Sequence, residues 1–134
     1  MPNRSIEIHD SVLVAVSFLQ GEAQLHFSSV YIHQSDGVSL RDAASGWVQR
    51  AVLRIHDAKV EGAFSEFPVD LSDGQTRMGQ IVLNNKIPVP LRHKGAFELR
   101  LQTMWQEQEI VSFTGSGAEL ELLGDAEYVE EFRP

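Results

Sequence analysis

Five histidines, His9, His26, His33, His56 and His93, are the residues best placed to do proton or metal chemistry near neutral pH. Two imidazoles share one metal when they lie two apart on a strand or four apart on a helix. No pair here has either spacing, and His26 and His33, seven apart, face opposite sides of a regular strand. The HxH…E…H spacing of cupin-type barrels is also missing. The sequence therefore predicts no metal site and no cofactor. A His-Asp doublet occurs twice, in Ile8-His9-Asp10 and Ile55-His56-Asp57, each at a strand boundary. The flanks do not align as a duplication. The helical, ligand-rich setting of His-Asp phosphohydrolases is lacking. The aspartates read as acceptors of turn hydrogen bonds.

Nucleophilic catalysis finds no support. There is no cysteine, no GxSxG elbow and no serine with an evident histidine partner in the sequence. Thr114-Gly115-Ser116-Gly117 is glycine-rich but precedes no helix, so it reads as a turn rather than a phosphate cradle. Glu107, Glu109, Glu119 and Glu121 fall on neighbouring extended segments. Clustered carboxylates can do acid–base work or bind Ca²⁺, but the wet outer face of a sheet accounts for them more simply.

The elements that must position these residues are strands. Phe97, Leu99, Leu101, Thr103 and Trp105 alternate with Glu98, Arg100 and Gln102, the period of a half-buried strand. Ile110–Thr114 and Glu119–Leu122 continue the pattern on either side of the Gly-Ser-Gly segment, predicting a three-stranded meander. Ile6–Ile8 reads as a short edge strand interrupted at 9–11. Val12–Leu19 and Gln24–His33 form a hairpin over Gly21, with a bulge or bend in the second strand. Residues 34–46 are a long polar loop, with a short helix allowed at 39–44. A further strand starts near Gly46 and extends past a bulge at Asp57-Ala58. Residues 63–77 are irregular and read as a lid, 78–83 as a strand, and 87–91, with Pro88 and Pro90, as a sheet-edge segment. The end, from Gly124, reads as a short strand or turn. The fold class is all-β: a single domain over 1–134, an antiparallel β-sandwich or flattened barrel of about seven to nine strands, with little helix.

Charge narrows the partners. The 134 residues carry a net charge of −8. From residue 119 onward, Glu119, Glu121, Asp125, Glu127, Glu130 and Glu131 face only Arg133, so this end holds most of the excess. Such a surface repels phosphate backbones, which argues against nucleic acid. No apolar run approaches the ~20 residues of a membrane helix. The N-terminus makes a poor signal peptide, and a cytoplasmic location is expected.

The strings IHDSVLVAV, GWVQRAVLRIHDAKVEG and AELELLGDAEYVEEF resemble a group of small bacterial all-β proteins of uncharacterised function. The HDS opening followed by alternating strands also resembles some immunity proteins of bacterial toxin systems. The resemblance implies a binding or structural role more than catalysis. Three expectations follow. The first is a non-enzymatic binding protein, of the immunity-inhibitor kind, that meets a basic protein partner through Glu107, Glu109, Glu119 and Glu121. The alternative is a small-molecule-binding or hydrolytic β-barrel with His26, Tyr31 or Trp47 lining a polar mouth. The third is a homo-oligomer paired through strand edges.

Overall fold

A computed structural model describes residues 3–35, 44–105 and 108–132. It is all-β, with nine strands: β1 (Asn3–Leu19), β2 (Glu22–Ser35), β3 (Ala44–His56), β4 (Lys59–Glu61), β5 (Val69–Met78), β6 (Ile81–Asn84), β7 (Lys86–Val89), β8 (Arg92–Thr103) and β9 (Ile110–Phe132). The sheet is antiparallel throughout, in the order β6-β5-β8-β9-β3-β2-β1-β7. It closes on itself where Val12 and Leu13 of β1 pair with Asp70 and Val69 of β5. No helix of the structure is long and apolar enough to cross a membrane.

Alternation dictates the core. Phe97, Leu99 and Leu101 of β8, Val111 and Phe113 of β9, Leu53 and Ile55 of β3, Leu25 and Phe27 of β2 and Leu13 of β1 all point inward and are buried in one cluster. Period-two patterning on twisted strands fills a closed sheet this way, with polar residues between the inward ones facing water. The predicted hairpin at Gly21, the irregularity in β2 and the extension past Asp57 are all present.

Several elements differ from expectation, each for an identifiable reason. The break at 9–11 is a bulge inside one continuous β1. Asp10 adopts φ 73°, and the ladder to β2 skips from Glu7 to Val12. Ser11 repairs the gap: its hydroxyl donates to Glu7 O at 2.8 Å and accepts from Tyr31 N–H at 3.1 Å. Within the expected lid, residues 69–78 form strand β5. Its Asp73-Gly74 pair mimics a turn signal, but Gly74 is there for close approach: a Cβ would lie 2.6 Å from Arg100 O and 2.8 Å from Ile8 Cδ1. The expected strand over 78–83 is split by a turn at Gly79, with β6 folding back on β5.

The largest correction concerns Gly115-Ser116-Gly117, which is no turn. It lies within β9, a single 23-residue strand that also absorbs the expected terminal element. A Cβ on Gly115 would collide with His56 O and lie 2.6 Å from Ile55 Cγ2. These glycines let β9 pass close beneath β3 as it changes neighbours. Residues 110–119 pair with β8, and residues 117–132 pair with β3. Of the helix allowed at 39–44, residues 39–43 lie outside the described residues, and Ala44 begins β3.

Candidate functional site

Three of the four glutamates expected to form one binding face lie among the described residues, and their contacts differ. Glu107 lies outside the described residues. Glu109 secures a loop: its carboxylate accepts from Ser65 N–H at 3.0 Å, and its backbone bonds to Thr103 through both N–H and C=O. Glu119 and Glu121 lie ten and twelve residues further along β9, roughly 30–40 Å at strand rise. Both face bases across the sheet. Arg54 Nη1 meets Glu121 Oε1 at 2.8 Å. Glu119 stands opposite Arg92 and Arg54, with His56 Nε2 at 3.8 Å from its carboxylate. His56 Nδ1 is also 3.3 Å from Glu22. This is a mixed, internally balanced belt on the outside of the barrel.

His26, Tyr31 and Trp47 are each engaged separately. His26 shares a 3.2 Å hydrogen bond with Ser17 on the outer face. Trp47 donates to Ser45 Oγ at 2.8 Å and packs edge-on against Tyr128, with centroids 5.3 Å apart. Tyr31 is buried and donates its hydroxyl to Glu130 Oε1 at 2.6 Å. Burial and the neighbouring Glu130, Glu7 and Asp10 hold the Tyr31 phenol well above its usual pKa. Gly46 makes this possible, because a side chain there would occupy the position of the Tyr31 hydroxyl. The barrel interior is packed with aliphatic and phenylalanine side chains, and the three residues make separate contacts.

A second group, Glu7, His9 and Asp10, was not anticipated as a cluster because it depends on the β1 bulge. One donor atom from each lies within 4.8 Å of the others. His9 Nε2 is 3.3 Å from Asp10 and 3.7 Å from Glu7. Asn85, 76 residues away, sets the ring's polarity. Its Oδ1 accepts from His9 N–H at 2.8 Å, which leaves its Nδ2 donating to His9 Nδ1. With Asn85 Nδ2 donating to Nδ1, a neutral ring would carry its proton on Nε2, the nitrogen nearest the carboxylates. In this arrangement the Nδ1 lone pair is taken up by Asn85, and the contacts hold the bulge against the loop that carries Asn85.

The most open surface is the end of β9. Beyond Leu120, whose N–H reaches Leu91 O at 3.0 Å, β8 has ended. From 121 to 132, β9 pairs with β3 on one side, and among the described residues no strand pairs with the other. This stretch carries Asp125, Glu127, Glu130 and Glu131. Tyr128, Val129 and Phe132 are exposed at 53%, 47% and 40%. Asp125 and Glu127 have no basic partner within salt-bridge distance among the described residues. They line an open concavity of about 460 Å³ with Ser28, Ser29, Gln49 and Arg50. The concavity forms where β2, β3 and β9 slip register together and Gly124 turns to φ 72°. Charge counting pointed to this end of the chain. Only the pairing shows that Glu119 and Glu121 meet bases across the sheet, whereas Asp125 and Glu127 share a concavity with Arg50 without an ion pair to it.

Comparison of the chain with protein-family models, with curated proteins and with solved structures finds no match.

Proposed function

We propose that this protein acts by binding rather than by catalysis, and that its acidic surface at the end of β9 receives a basic protein partner. One observation carries the reading. Asp125 and Glu127 lie on an exposed strand with no base within salt-bridge distance among the described residues, though Arg50 shares their concavity, whereas Glu119 and Glu121 are matched by Arg54 and His56. Uncompensated charge steers and selects an oppositely charged partner; balanced surface charge contributes little. An inhibitor of the immunity kind, which masks a basic effector, is the form of this role that such a surface suits.

The concavity at the bend is large enough for a small ligand. Its lining, however, holds no histidine to activate Ser28 or Ser29, which favours recognition over hydrolysis. The test is a titration with a short oligolysine peptide followed by backbone NMR. Shifts are expected to concentrate at 123–132. Replacing Asp125 and Glu127 together by lysine should weaken binding about tenfold or more, and the same change at Glu119 and Glu121 much less. Equal losses from the two double variants, or shifts centred on 119–121, would overturn the assignment.

A further inference from the structure

We infer that the partner is engaged as an added strand: a basic, extended segment pairs with the open side of β9 between residues 121 and 132. This rests on the acidic-surface reading and specifies how that surface works. A strand paired on one side presents a row of N–H and C=O groups to the other, a template for backbone hydrogen bonds. The open run covers residues 121 to 132, with irregularities where the pairing with β3 slips at 123–127 and at 128–130.

The other free edges are poorly suited to this. β7 has four residues, and its Pro88 has no N–H to donate. β6 also has four residues, at the far end of the order. β1 is open from Val14 to Leu19 on the side away from β2, but this run is half as long and carries no charge to select a partner. Among the described residues, β9 offers the longest edge.

Charge chooses the occupant. A second copy pairing β9 with β9 would bring Asp125, Glu127, Glu130 and Glu131 against the same residues of its neighbour, and like charges across a strand pair are destabilising. The register with β3 puts Glu127, Glu130 and Phe132 on one face and Tyr128 and Glu131 on the other. An incoming strand whose lysines or arginines alternate with apolar residues sets its bases beside Glu127 and Glu130 on the first face and its apolar residues beside the exposed Tyr128 on the second. The acids thus exclude self-pairing and admit a strand of opposite charge.

The probe is a short peptide alternating lysine and valine, compared with the same sequence N-methylated at every residue. The two carry equal charge, but only the first can form a backbone ladder. The unmodified peptide is expected to bind, to protect alternate amides of 121–132 from hydrogen exchange, and to lose about tenfold or more in affinity on methylation. Equal binding of both peptides would overturn strand addition while leaving the acidic-surface reading in place. Failure of both to bind would overturn the two together. A dimer seen by light scattering without peptide, and dissolved by lysine at Glu127 and Glu130, would assign the edge to a second copy instead.

Discussion

β9 is one strand with two environments. From Ile110 to Glu119 it is enclosed, with β8 on one side and β4 and β3 on the other. From 121 to 132 it is held by β3 alone, and every residue from Gly124 onward is exposed. Both halves carry aromatic residues, yet Phe113 is 1% exposed and Phe132 40%. Composition therefore does not separate the half that builds the core from the half left exposed. Neighbours do.

The sharpest way to break this contrast is to truncate one aromatic in each half. Phe113→Ala should cost about 4 kcal/mol, the transfer term plus the cavity left in a packed interior. Phe132→Ala removes an exposed ring whose recorded aromatic neighbour is His33, at 5.6 Å, and should cost about 1 kcal/mol or less. Urea denaturation of both variants checks this. Equal losses would mean that the terminal half is as integral to the core as the enclosed half.

A smaller difference is expected between the glycines that serve each half. Gly115→Ala forces a methyl against Ile55 and the His56 carbonyl, and should cost about 3 kcal/mol as the strands are pushed apart. At Gly124 a Cβ meets only Arg50 Nη2, at 3.6 Å, so Gly124→Ala carries mainly the left-handed backbone penalty of about 1 kcal/mol. Thermal unfolding of the pair reports the order. A milder Gly115 variant would show that β9 can move away from β3 at low cost.

The glycines also show how much was legible in the sequence. Inward alternation is local, so the core of β8 and the first half of β9 could be read directly from Phe97–Thr103 and Val111–Phe113. The all-β class follows from the same pattern. A glycine needed for clearance and a glycine needed for a turn look identical in sequence. Only the carbonyl passing over Gly115 separates them, and it belongs to a residue 59 positions away. The surface had the same limitation. That acids gather after residue 119 was plain, but which of them are balanced depends on β3 bringing Arg54 and His56 beside two of them. Tyr31 and Glu130 are 99 residues apart, and no local signal joins them.

That pair links the two regions, because it ties the open end of β9 to buried ground in β2. Tyr31→Phe removes one hydrogen bond, and at neutral pH should cost about 1 kcal/mol. Its pH dependence is more diagnostic. Below pH about 10, the ordinary phenol pKa, folded and unfolded chains both hold the Tyr31 proton, so its contribution to stability is complete. Above that pH the unfolded chain releases the proton. The folded chain keeps it, because burial and then Glu130, Glu7 and Asp10 disfavour the phenolate. The unfolded state then binds fewer protons than the folded one, and stability falls as pH rises. The phenylalanine variant has no such proton. The stability gap between wild type and variant should therefore be constant from neutral pH to about 10 and narrow above it, measured by denaturant titration at each pH. A gap unchanged well above pH 10 would mean that Tyr31 ionises as readily in the fold as outside it. The contact with Glu130 would then not hold the end of β9 to the body of the sheet.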